Sequence, residues 1–229
     1  MKKKVIVVNL GGSLIFPEDV DFVYLKKFRD VIKKNSRKYK FVVVCGGGKV
    51  ARKYISALRE TGMNELLQSH AGIEATRMNA KFMSYFFNQN PERGIPEKMN
   101  EIKKHLRNQD VVFCGALEYK PKQTSDSTTA EVARHFKSPF IILTNVAGLY
   151  DKNPKEFKSA KFIPAISWKG LYEMARKIGY KPGQNFVLDQ TAAKIIRKNK
   201  IPTYILGKDV KQLDNFLNKK RFIGTEING

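Results

Sequence analysis

The sequence predicts an α/β fold, a three-layer αβα sandwich around a largely parallel central sheet. Strand-sized apolar runs alternate with helix-like stretches over most of the chain. The first two such runs each end in a glycine cluster from which a helix follows. A length of 229 residues with 42% hydrophobic content suits one sizeable domain with a real core.

Each element follows from local pattern. Val5 to Leu10 is the first buried strand, ending at Gly11, Gly12 and Ser13, with a helix over about residues 20–34. Phe41 to Cys45 is the second strand and ends at Gly46, Gly47 and Gly48. The next stretch reads as a helix with Val50, Tyr54, Ala57 and Leu58 on its apolar face and Gly62 as its stop. A further helix is placed over residues 73–87, and residues 88–97 are turn-rich. Val111 to Cys114 is a third strand, followed by a polar loop over residues 118–123 and a helix that opens at Thr124, Ser125 and Asp126. Phe140 to Thr144 is a fourth strand feeding the turn at residues 145–154. Helices over residues 168–178 and 187–199, a strand at 202–207 and a last helix before Gly224 complete the pattern. Any division into lobes falls near residues 135–139, with one sheet shared between them.

Composition narrows the class. No apolar run approaches the roughly 20 residues that span a bilayer. The start, Met1 to Ser13, superficially looks like a signal peptide, but its apolar run is short and interrupted by Asn9 and the glycine pair. Cys45 and Cys114 have no metal-type spacing and read as reduced core thiols of a cytosolic protein. The formal charge of +22 could serve a nucleic-acid partner, yet the lysines are spread along the chain as a solvated surface, and recognition motifs are lacking. A positive field also favours the approach of anionic nucleotides.

The glycine clusters carry the chemistry. Glycine lets backbone N–H groups converge on an anion, and a helix N-terminus adds unpaired amides and the positive end of its dipole. Neither cluster matches the dinucleotide-binding or P-loop pattern. Two such loops in one domain suggest two phosphate groups facing each other, as phosphoryl transfer requires. Arg52 lies one turn into the helix after the second cluster, where a guanidinium can fork onto a phosphate. Thr124, Ser125 and Asp126 are good N-cap residues for the helix that follows, and Asp189 also sits at a helix start.

The segments Gly11–Ser13, Gly46–Ile55, Gly72–Ala80, Thr124–Asp126, Thr144–Tyr150, Phe186–Ile196 and Gly224–Ile227 resemble, in order and over essentially the whole chain, the archaeal-type UMP kinases of the amino-acid-kinase superfamily. The resemblance implies the amino-acid-kinase (carbamate-kinase-like) fold in a single domain over residues 1–229. Its acceptor lobe would span about 1–137 and its ATP lobe about 138–229. It implies transfer of the γ-phosphoryl group of ATP to UMP, giving UDP and ADP.

By the same resemblance, Gly11, Gly12 and Ser13 would cradle the transferring phosphates, and Thr144, Asn145, Gly148, Tyr150 and Pro154 would hold the adenine and ribose. Gly46, Gly47, Gly48, Arg52, Gly72, Thr76, Arg77 and Thr124 would bind the acceptor. Asp126, Asp189 and Lys194 would be catalytic, with Mg²⁺ bound chiefly through the phosphates and water. A cytosolic homohexamer is the implied assembly. The sequence departs from the family pattern at Asn9 (usually Lys or Asp) and at Ser69, Ala147 and Asn153 (usually Asp). The segment Cys114–Gln123 also replaces a shorter, glycine-richer stretch and adds Lys120 and Lys122 near the acceptor side. These losses of carboxylate leave open a diverged phosphotransferase with another acceptor, or a non-catalytic nucleotide- or oxyanion-binding member.

Overall fold

A computed structural model of the protein describes residues 3–121, 123–177 and 188–229. Lys122, and the expected helical positions 178 and 187, lie outside the described residues.

The first part of the chain runs β1 (Lys4–Leu10), α1 (Gly12–Ile15), α2 (Phe22–Asn35), β2 (Tyr39–Cys45), α3 (Gly48–Glu60), α4 (Glu65–Phe86), α5 (Met99–Asn108), β3 (Val111–Cys114) and α6 (Ser125–Phe136). It continues with β4 (Phe140–Leu143), β5 (Leu149–Tyr150), β6 (Phe162–Ile163), β7 (Ala165–Ser167), α7 (Trp168–Lys177), α8 (Gln190–Asn199), β8 (Thr203–Leu206), α9 (Val210–Leu217) and β9 (Gly224–Asn228). The main sheet has the order β3-β2-β1-β4-β8-β9-β7, and β5 pairs only with β6. Every main-sheet pairing is parallel except β8 with β9, where Tyr204 lies opposite Glu226.

The expected three-layer architecture follows from side-chain alternation along fully buried strands. Ile6, Val8 and Leu10 of β1 join Phe28, Phe41 and Met83 in one core layer. Val7, between them, faces the other layer with Val42, Phe140 and Ala130. Phe28, Phe41, Phe113 and Phe140 are fully buried, and each such side chain contributes on the order of 1.5–3 kcal/mol by leaving water.

Several local expectations change. The buried face of α3 carries Ala51 and Ile55, whereas Tyr54 is 57% exposed and Ala57 also faces solvent. The reason is tertiary: α3 lies against α4 where Gly72 has no side chain, and a Cβ there would come within 3.2 Å of Ile55. α4 starts eight residues earlier than its pattern suggested, because the Asn64 side chain accepts from the Leu67 N–H and caps it. α5 is an additional helix with Ile102 and Leu106 buried one turn apart. Cys45 and Cys114 are buried free thiols, and burial pushes Cys45 up and Cys114 to about 12. Among the described residues no helix is long and apolar enough to cross a membrane.

Candidate active site

The site forms beyond the carboxyl ends of β1, β2 and β4, where an open parallel sheet leaves room for a ligand. At the end of β1 the chain turns at Gly11, whose N–H donates to the Leu143 carbonyl (3.0 Å). At the end of β2 the Gly46 N–H donates to the Leu10 carbonyl (2.9 Å), and the Asn79 amide holds the Gly46 carbonyl (2.7 Å). The two glycine clusters touch each other through backbone alone. A Cβ on Gly12 would meet Gly48 N at 2.3 Å and the Gly46 oxygen at 2.5 Å. Gly48 has φ +61°, the left-handed region that side chains avoid. Neither α1 nor α3 has a side-chain cap, so their first N–H groups remain available beside the loops.

Above the loops lies a cleft of about 650 Å³, within the range of small-ligand sites. It brings together Gly11, Gly12, Ser13, Gly46, Gly47, Gly48, Arg52 and Asp126 with Thr144, Asn145, Gly148, Tyr150 and Pro154. Thr225 fixes the last of these segments: it accepts from the Leu149 N–H (2.7 Å) and donates to the Ile163 carbonyl (2.6 Å). A side chain on Gly148 would collide with that hydroxyl at 2.6 Å, so the turn admits only glycine without rearrangement.

Below the cleft two helix N-termini meet. Thr124 caps α6, accepting from Asp126 N–H (3.1 Å), while its own N–H is received by the Ser127 hydroxyl (2.7 Å). Asp189 caps α8, accepting from Ala192 N–H (2.9 Å). The Thr124 hydroxyl donates to the other oxygen of Asp189, which ties the two caps together. Asp189 is only 3% exposed. Half-buried Asp126 accepts a hydrogen bond from the Asn9 amide (2.5 Å). Burial, and then the nearby Asp189 charge, push the Asp126 carboxyl well above its ordinary range, and burial also raises Asp189. The Asn9 oxygen is buried without a partner.

Other expected site residues lie elsewhere. Lys194 is exposed on α8 and does not line the cleft. The Thr76 hydroxyl donates to the Ile73 carbonyl (2.6 Å) and accepts from Ala116 N–H (2.7 Å). Arg77 holds the Ala116 and Leu117 carbonyls and pairs with Glu74 and Glu97. Both therefore fasten α4 to the chain leaving β3, in which Tyr119 stacks on His70 at 5.3 Å. Gly72 sits at the α3–α4 contact. Thr124 and Asp189 lie beside Asp126 but do not line the cleft. Asn9, Lys152 and Lys155 also line the cleft. The family resemblance marks Asn9 as a departure, and nothing local marks the two lysines.

A model of the amino acid kinase family matches residues 4–207, most of the chain. The chain belongs to the amino acid kinase family. Within it, the chain is 34% identical over 204 residues to a uridylate kinase of Thermococcus kodakarensis, covering 89% of this chain and 90% of that one. It is 33% identical over 225 residues to a uridylate kinase of Thermoplasma volcanium, covering 97% and 96%. Among solved structures, the uridylate kinase of Archaeoglobus fulgidus superposes with a TM-score of 0.82 at 32% identity, over 98% of this chain and 99% of that one. The amino acid kinase fold accounts for the largely parallel sheet.

Proposed function

We propose that the protein is a UMP kinase, transferring the γ-phosphoryl group of ATP to UMP in a domain whose acceptor lobe spans about 1–137 and ATP lobe about 138–229. The observation that carries this reading is the backbone contact between the two glycine loops beside one cleft, which would set the two proposed phosphate sites face to face. Catalysis of such a transfer is mainly positioning and charge neutralisation. The backbone N–H groups around Gly11–Ser13 would hold the transferring phosphates, and the Gly46–Gly48 loop with Arg52 would hold the acceptor phosphate. Asn145, Gly148 and Tyr150 would form the nucleoside end of the ATP site.

Mg²⁺ fits the residues present. The unpartnered Asn9 oxygen and the Asp126 carboxylate are hard oxygen donors of the kind that cation prefers. Among the described residues no cluster of three or more His, Cys, Asp or Glu could hold a metal by itself, so the ion would bind chiefly through phosphates and water. Bound there, it would neutralise charge on the phosphoryl group. Asp126 would orient that assembly, with Asp189 and Thr124 holding it in place.

An ADP-release assay across UMP, CMP, dUMP and AMP tests the reading: turnover is expected with UMP in preference to the others. ATP binding without turnover on any acceptor would refute it. Arg52 forms no ion pair among the described residues. Arg52→Ala is expected to raise KM for UMP about tenfold or more with a smaller change in KM for ATP, because a charge-assisted contact to one phosphate is lost. An equal rise in both would put Arg52 in the wrong half of the site.

A cytosolic homo-oligomer, a hexamer by family pattern, is the assembly we propose. Leu67, Met78 and Tyr85 recur at helical spacing along one side of α4 and are 47%, 68% and 46% exposed. Such a strip suits contact with a second copy, which would also offset the repulsion between strongly basic subunits. Met78→Lys is expected to shift the sedimentation profile to smaller species. An unchanged profile would take that face out of the assembly.

A further inference from the structure

At the opposite end of the sheet from the cleft there is a second cavity, of about 680 Å³, that the proposed reaction does not use. Its floor is the amino-terminal ends of β1 and β4 with the Tyr204–Glu226 register of β8 and β9, and its wall is the end of α9. Two kinds of group line it. Tyr204, Phe216 and Phe222 form a ring cluster, with centroids 4.4 Å apart for Tyr204–Phe216, 5.7 Å for Phe216–Phe222 and 6.0 Å for Tyr204–Phe222. All three are only partly buried, so ring surface faces the cavity. Around them stand Lys4, Lys137, Lys219 and Lys220.

These lysines are not spent on the protein's own carboxylates. None of the four forms an ion pair among the described residues, and Glu226 is the single acidic residue in the lining. Lys220 acts at longer range on Asp214, which Lys34 already pairs. Four ammonium groups against one carboxylate leave an excess of three positive charges at the mouth of an aromatic pocket. An aromatic wall offers a stacking platform to a flat ring, and the ammonium groups offer donors to a phosphate or carboxylate attached to it.

We infer that this cavity is a binding site for a small aromatic anion, a flat ring carrying phosphate, of the size of a mononucleotide. The volume is that of a small-molecule site. A bare inorganic anion would leave the rings unused, and a neutral ring would leave the lysines unused. The same chemistry occurs in a free nucleotide and in a nucleotide of a single strand, and competition by mononucleotides against an oligonucleotide separates the two sources.

The test is equilibrium binding to the full chain by ligand fluorescence, with 1-naphthyl phosphate as the probe. Lys137→Glu/Lys219→Glu and Tyr204→Ala are each expected to weaken its binding about tenfold or more. Arg52→Ala, in the cleft, is expected to leave it unchanged. 1-Naphthol and inorganic phosphate are expected to compete about tenfold worse than UMP or AMP. If the charge reversals unfold the chain, Lys137→Gln/Lys219→Gln keeps the test, with turnover on the cleft substrates as the check of folding. Binding that survives the lysine variants, or that disappears with Arg52→Ala, would overturn the inference. So would binding of an oligonucleotide with none of the mononucleotides.

Discussion

Asp126→Asn is expected to reduce turnover on the order of 10²-fold while leaving the ATP dissociation constant within about threefold. The carboxylate lines the cleft, accepts from Asn9 and sits beside the buried carboxylate of Asp189. An amide fills the same space but cannot supply negative charge where a metal–phosphate assembly is organised. The same substitution should stabilise the fold. Burial and Asp189 raise the Asp126 carboxyl in the folded chain, above the unfolded value of about 3.9. A raised folded-state pKa means that the folded chain holds the proton more tightly. The stability from that proton is complete below the unfolded pKa and is lost as pH rises through the folded one. Asn escapes this loss. Thermal melts of the two proteins should therefore diverge as pH rises above about 4, with the variant melting higher at neutral pH. A gap that does not depend on pH, or equal loss of binding and turnover, would mean that Asp126 has another role. The opposed effects on stability and turnover are those of a strained functional group.

The parts of this molecule that were legible from sequence are those set by neighbours in the chain. The apolar strand runs, the two glycine clusters and the helix opening at residues 124–126 depend on a few consecutive residues, and they appear where the pattern put them. The face of α3 does not. Its sequence offers Val50, Tyr54, Ala57 and Leu58 as one apolar stripe and Ala51 with Ile55 as another, and only the approach of α4 at Gly72 selects the second. β9 is a similar case: nothing local says that Glu226 will lie antiparallel to Tyr204. α5 was within reach, because Ile102 and Leu106 recur at helical spacing and Glu101 stands in the first turn, where its carboxylate accepts from the Lys98 N–H.

For the site, the glycine loops and Arg52 were legible as anion chemistry, since the residue types themselves state it. Lys152 and Lys155 were not, because a lysine in a chain of 43 basic residues carries no mark of the cavity that it borders. Lys194 shows the converse: a family role was assigned by register along α8, and its side chain lies in solvent outside the cleft.

Gly12→Ala should have the largest effect on the fold of any single methyl group added to the cleft. The new Cβ would stand 2.3 Å from Gly48 N, 2.5 Å from the Gly46 oxygen and 2.7 Å from Gly48 Cα, all of them backbone atoms. No rotamer change can relieve a clash with backbone, so the loops must separate. Gly48 cannot yield easily, since its φ of +61° lies in the left-handed region and its backbone packs directly on that of Gly12. We expect a loss of about 3 kcal/mol or more, which for a chain of this size lowers the melting temperature by about 6–12 °C. Gly94→Ala and Gly62→Ala are the controls. They share a positive φ (+62° and +77°) but have nothing within 4 Å of the added Cβ, so each should cost about 1–2 kcal/mol. Gly12 itself has no positive φ, so a loss there that exceeds these controls comes from the contact between the loops. Turnover of Gly12→Ala should fall further than its folded fraction, because the loops that separate are the two proposed to hold the reacting phosphates. If Gly12→Ala melts with Gly94→Ala and keeps its turnover, the two loops are not one unit, and phosphate positioning must rest on the side chains around them instead.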